Sequence, residues 1–219
     1  MSHWTDQAIV PWGTLLLLGA FHGINPGMGW LFAVALGMQE NRAMAVWRAL
    51  LPLGLGHALA VASVIAAGLL AGITMPTTLL RWPIAGLLIA LGIRMLLRHR
   101  HPRYGGMRIG LGGLTIWSFL VATAHGAGLM VLPVWLAMKP SADQGAHAGH
   151  MPAAIDLASG LTATAIHGAG YLLVTALVAW IVFAKLGVEL LRTKWINLDA
   201  IWAAALILSG GLVVALPGL

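Results

Sequence analysis

Six stretches of this chain, 9–36, 43–70, 82–97, 109–138, 152–183 and 198–216, are dominated by apolar residues and separated by short charged or Pro/Gly-rich connections. Runs of that length constrain the backbone more than any motif does. A segment that crosses a bilayer must satisfy its own backbone hydrogen bonds, which leaves helices and closed barrels. Barrel strands would be about ten residues long and would alternate strictly, so the runs are predicted to be helices. Composition agrees, with 8% charged residues and a mean hydropathy of +0.91, where a soluble domain carries about 25% charge. The expected fold is an all-α integral membrane protein with six transmembrane helices in a single transmembrane domain over 1–219, with no room for a soluble domain. Residues 1–7 lack a basic region and a cleavage pattern, so no removable signal peptide is expected. Cysteine is absent, which excludes disulfides, iron–sulfur clusters and thiolate metal sites.

Basic residues set the expected orientation. Arg42, Arg48, Arg94, Arg98, Arg100, Arg103, Arg108, Lys185, Arg192 and Lys194 fall on one side of the six-span scheme, and Arg81 and Lys139 on the other. The richer side is predicted to be cytoplasmic, which puts the chain in the cytoplasmic membrane with both termini outward. The net charge of +6 is then a topology signal and implies no nucleic-acid partner.

Four histidines lie near the middle of four runs, each beside a glycine, in two copies of one pattern. The first half reads His22-Gly23-Ile24-Asn25-Pro26-Gly27-Met28 and then Gly56-His57; the second reads His125-Gly126-Ala127-Gly128-Leu129-Met130 and then His167-Gly168-Ala169-Gly170. The separations are 35 residues from His22 to His57 and 42 from His125 to His167, a difference that fits inside the connection 139–151. Three spans per half make the second half enter the membrane from the opposite side. The expectation is a 3+3 inverted repeat, 1–100 and 101–219, of the kind that transporters use.

Runs one, two, four and five hold 28 to 32 residues, over about 40 Å of helix against a hydrocarbon core of about 30 Å. Tilt absorbs part of that excess and a local break absorbs more. Asn25-Pro26-Gly27 supplies such a break, because proline removes a donor and glycine frees the backbone. Helices 1 and 4 are therefore expected to be broken or kinked, and runs three and six to be scaffold.

Ionisable groups at bilayer depth are costly and mark functional sites. Imidazole binds divalent transition metals and exchanges protons near neutral pH. His22, His57, His125 and His167 are the expected metal ligands. Asn25, Met28, Met130 and the His147/His150 pair of the outer connection are candidates for secondary ligands. Thr123 and Thr164 lie nearby, but threonine commonly bonds its own helix. Paired glycines (Gly54 and Gly56, Gly126 and Gly128, Gly168 and Gly170) are expected to allow close helix packing. Asp156 and Asp199 are read as helix caps. No Asp or Glu falls in mid-membrane.

Six spans with a broken first helix bearing His22-Gly-Ile-Asn25-Pro26-Gly27 resemble the LysE-type exporter superfamily, and within it the nickel/cobalt and other transition-metal permeases. As architecture the resemblance covers the whole chain; as motif it covers about a dozen residues. The nickel/cobalt group carries a His-x-x-x-Asp-His signature, and here no acidic residue follows His22 in that run. The resemblance implies cation transport. The function expected from sequence is a secondary transporter or permease for a Ni, Co, Cu or Zn ion, favoured over an enzyme, with enzymatic activity left open. The alternatives are a b-type haem protein using the same histidines and an intramembrane metalloenzyme, which would need an open metal position and an acid/base group. A homo-oligomer and an accessory role in a larger membrane complex stay open as partners.

Overall fold

The computed structural model describes residues 3–74, 77–97, 110–138, 152–186 and 198–215, and every regular element among them is helical. In chain order these are α1 (His3–Ile24), a 3-10 turn (Pro26–Met28), α2 (Trp30–Glu40), α3 (Ala43–Thr74), α4 (Thr77–Leu97), α5 (Leu111–Ala124), α6 (Ala127–Ala137), α7 (Pro152–Ile181), which widens into a π turn (Val182–Leu186), and α8 (Leu198–Ala215). The segments 43–71 of α3 and 157–185, through α7 and its π turn, are long and apolar enough to cross a membrane, and α5 with α6 makes a third span if the bent pair is one. Leu51, Leu161, Leu173 and Leu208 stand more than half exposed on the outside of the bundle, as lipid-facing side chains do. This is a helical membrane protein.

Both expected breaks are present, and each has a local cause. In the first, Asn25 adopts an extended conformation and its Oδ1 accepts the Gly27 N–H at 2.9 Å, starting the turn at Pro26. Gly29 then takes φ 149°, a region closed to side chains, before α2 begins. The carbonyls released by the break are met from within. Trp30 Nε1 donates to Ile24 O at 2.8 Å, Tyr171 Oη donates to Met28 O at 2.6 Å, and the Met28 and Gly29 amides donate to Asn25 and Pro26. Inside a membrane, irregular backbone is tolerated only when its carbonyls are met in this way. In the second, α5 ends at His125, Gly126 has φ 72°, and α6 leaves at 62° to α5.

Four helix pairs make up most of the packing. α1 packs chiefly on α7 and α5 on α3, while α3 packs on α7 and α4 on α8. Glycine contacts give the directions. A Cβ on Gly92 of α4 would meet Ile207 Cγ1 at 2.7 Å and Ala203 O at 2.8 Å; a Cβ on Gly210 of α8 would meet Ile89 Cγ1 at 2.7 Å and Ala85 O at 2.9 Å. Such a reciprocal contact requires antiparallel helices about a local two-fold. The residues that make it repeat: Ala85 and Ala203, Ile89 and Ile207, Gly92 and Gly210 are each 118 positions apart. In the α3–α7 pair, Gly54 faces Leu172 and Gly160 faces Ile65, so these helices are antiparallel as well. Gly19 and Gly23 of α1 meet α7 at His167–Tyr171 and at Tyr171–Thr175, so α1 and α7 run parallel.

Paired glycines divide their work. Gly54 faces Leu172 of α7, whereas Gly56 faces Thr115 and Ser118 of α5. Gly170 is packed against Leu16 and Ala20, but Gly168 has open space where a Cβ would stand, which corrects the expectation that both pack. Two residues apart on a helix is about 200° of rotation, so one neighbour cannot take both. α7 begins at Pro152, so Asp156 lies in its second turn and is not its cap.

Candidate functional site

Three of the four histidines converge from three helices: His22 from the last turn of α1, His57 from the middle of α3 and His167 from the middle of α7. All three are fully buried. Their ring centroids form a triangle of 5.6 Å (His22–His57), 5.1 Å (His22–His167) and 5.2 Å (His57–His167). The other buried polar side chains among the described residues are Asn25, Ser118, Thr164 and Thr175, so no carboxylate or basic chain shares the interior.

The central contact is between His57 and His167, whose Nε2 atoms are 3.1 Å apart. The ring planes differ by 12°, and the centroids are 2.1 Å farther apart than the nitrogens. Each ring centre therefore lies behind its own Nε2, and the imidazoles meet nose to nose. One proton sits between them. His167 Nδ1 lies 3.2 Å from Leu15 O, and a carbonyl can only accept, so Nδ1 carries the hydrogen and Nε2 the lone pair. His57 then donates from Nε2. Its Nδ1 is buried and has no hydrogen-bond partner among the described residues. The hydrogen-bond network assigns these tautomers.

His22 is fixed in the same way, its Nδ1 donating to Leu18 O at 2.7 Å, which puts the lone pair on Nε2. His125 repeats that device, with Nδ1 to Val121 O at 2.9 Å. It is only half-buried, though near enough to His22 that a charge on one would be felt by the other. Four residues back along the helix is the same anchor in both copies.

Tyr171 is the site residue that sequence reasoning did not single out. Fully buried, its ring stacks on His57 at 4.0 Å and 10° while its hydroxyl holds the α1–α2 turn at Met28 O. The available signal was its place four residues after His167, on the same helical face. Ser118 was also missed; it ties α5 to α3 by donating to Leu53 O at 2.6 Å.

The secondary candidates are placed as follows. Asn25 is buried at the break, with Oδ1 on Gly27 and Nδ2 without a hydrogen-bond partner among the described residues. Met28 and Met130 are buried in the apolar core with Leu15, Val61 and Trp135. Thr123 and Thr164 donate to Phe119 O and Gly160 O of their own helices. His147 and His150 lie outside the described residues.

Among the described residues no group of three or more His, Cys, Asp or Glu side chains is arranged to hold a metal ion. The central pair shows why. Zinc–imidazole bonds are about 2.0–2.1 Å, so an ion on the line between two opposed Nε2 atoms needs them about 4 Å apart, and a tetrahedral ion needs both lone pairs turned off that line. At 3.1 Å the space holds a proton. A metal is admitted only if a ring swings. His167 is tethered to Leu15 O, whereas His57 has no hydrogen-bond partner at Nδ1 among the described residues and is held by His167 and by the face of Tyr171. A bis-imidazole haem would need a similar separation plus a slot for the macrocycle, which this packed triangle does not offer. Comparison with models of known families, with curated proteins and with solved structures finds no match for this chain.

Proposed function

We propose that this protein is a secondary permease that carries a transition-metal cation, Ni, Co, Cu or Zn, across the cytoplasmic membrane through the histidine cluster. The observation that carries the proposal is the convergence of His22, His57 and His167 from separate helices into one buried triangle free of carboxylates. Neutral imidazoles in a chain without cysteine are borderline ligands that suit such ions. In this reading His57 swings off His167, its hydrogen passes from Nε2 to the vacant Nδ1 so that the ring stays neutral, and the Nε2 atoms of His57, His167 and His22 turn to the ion. His125 is the fourth ligand or the next one along the path.

The same reading takes the chain as a 3+3 inverted repeat. The antiparallel two-fold at α4–α8, the 118-residue offset of its contact residues, and the symmetric pairing of α1 with α7 and α5 with α3 support it. The resemblance of the broken first helix to the LysE-type superfamily points the same way. Elemental analysis of the purified protein, together with its visible spectrum, tests the function. Stoichiometric metal that is lost in His57→Ala and His167→Ala is expected. A Soret band, or a protein that takes up no metal from Ni, Co, Cu or Zn solutions, would overturn the proposal.

A further inference from the structure

Between the histidine triangle and the break in the first helix stands one rigid side chain that touches both. The Tyr171 ring lies flat on His57 at 4.0 Å, and its hydroxyl donates to Met28 O at 2.6 Å inside the 3-10 turn. Its backbone is wedged against α1, where Gly19 and Gly23 leave room for it, and a Cβ on Gly29 would stand 2.8 Å from its hydroxyl. The phenol is fixed at both ends. His57, by contrast, is positioned by its bond to His167 and by the face of Tyr171, since its Nδ1 has no hydrogen-bond partner among the described residues.

We propose that Tyr171 is the positioning residue that couples the α1–α2 turn to His57, so that a change in the turn's conformation moves the Tyr171 ring and releases or clamps His57. The inference rests on the permease reading for its purpose, since it makes the opening of the metal site depend on the broken helix. The physical basis is local. A turn held by few backbone bonds is the softest element near the site, a rigid aromatic transmits its displacement, and His57 is the ring least able to resist. Turns of this kind in an otherwise helical run are where conformational change is absorbed.

The test perturbs the turn and reads the histidine, without metal. Trp30→Phe removes the bond from Trp30 Nε1 to Ile24 O and so loosens the turn without touching Tyr171 or His57. The readout is the imidazole nitrogen resonances of His57 in protein labelled with 15N-histidine, identified by their loss in His57→Ala. Trp30→Phe is expected to shift them in the native background and to leave them unmoved in a Tyr171→Phe background, where the ring still stacks but the hydroxyl link is gone. Should Trp30→Phe fail to fold, Gly27→Ala perturbs the same turn through a methyl 3.3 Å from Asn25 Oδ1. Equal shifts in both backgrounds, or no shift in either, would overturn the proposal. A protein that bound no metal would remove the permease reading and leave these spectra to decide the coupling alone.

Discussion

The nose-to-nose histidine pair can be tested by a double-mutant cycle on apo protein in detergent. His167→Ala removes a fully buried ring, and a large-to-small change in a packed core costs about 2–5 kcal/mol. It also strips the acceptor from His57 Nε2, leaving that ring with neither nitrogen bonded, a further cost of about 1–3 kcal/mol. His57→Ala incurs a comparable packing loss, but His167 keeps its Nδ1 bond to Leu15 O, so His167→Ala is expected to be the more destabilising change. In the double replacement no orphan remains, and its cost should fall short of the sum of the single ones by about 1–3 kcal/mol. Reversible denaturant unfolding followed by tryptophan emission supplies all four corners of the cycle. Additivity within about 0.5 kcal/mol would show that the two imidazoles do not share a proton, and the tautomer argument would fail with it.

Metal content offers a direct measurement: His22→Ala, His57→Ala and His167→Ala should each weaken binding by at least about 10–100-fold without preventing insertion, as read by elemental analysis after dialysis. Occupancy should fall once the pH is low enough to protonate the imidazoles, because imidazolium cannot ligate, as read by elemental analysis after dialysis at each pH. Replacing both His147 and His150 should leave the buried site loaded, and a protein emptied of metal by that change would move the principal site to the connection. Gly29→Ala forces a side chain into φ 149° beside Leu53 and the Tyr171 hydroxyl and should cost about 1–3 kcal/mol or more in the same unfolding assay. A reporter fused after Leu219 should be active outside the cytoplasm, and cytoplasmic activity would reverse the proposed orientation.

Much of this site was legible because its chemistry is rare in an apolar chain. Histidine next to glycine in mid-run stands out against leucine and alanine, and Asn25-Pro26-Gly27 announces a break whatever the fold. The grouping was harder to read. Nothing local says that His57 and His167 face each other, since that depends on how α3 crosses α7. Tyr171 was hidden for the same reason: its spacing ties it to His167, while its stacking partner is His57, on another helix. The repeat of Ala, Ile and Gly at 118 residues was present in the sequence, but in a chain built from those residue types three coincidences carry little information. They gain weight only when the same residues make the reciprocal contact.

The triangle also runs against what stability alone would select. His57 Nδ1 and Asn25 Nδ2 are buried without hydrogen-bond partners among the described residues, at about 1–3 kcal/mol each. Gly29 adds a backbone conformation that admits no side chain. Against a total stability of about 5–15 kcal/mol these are large terms, and leucines at the three histidine positions would remove the orphaned nitrogen. Costs of this kind persist where the strained arrangement is used. Here they are concentrated: the orphaned imidazole nitrogen, the orphaned amide and the glycine turn lie at the two ends of one connection, joined through Tyr171. A scaffold would spread such defects or lack them. Under the permease proposal a ring that leaves its proton-sharing partner to take up an ion would need a neighbouring element able to yield, and His57 and the Pro26–Met28 turn meet at the same phenol.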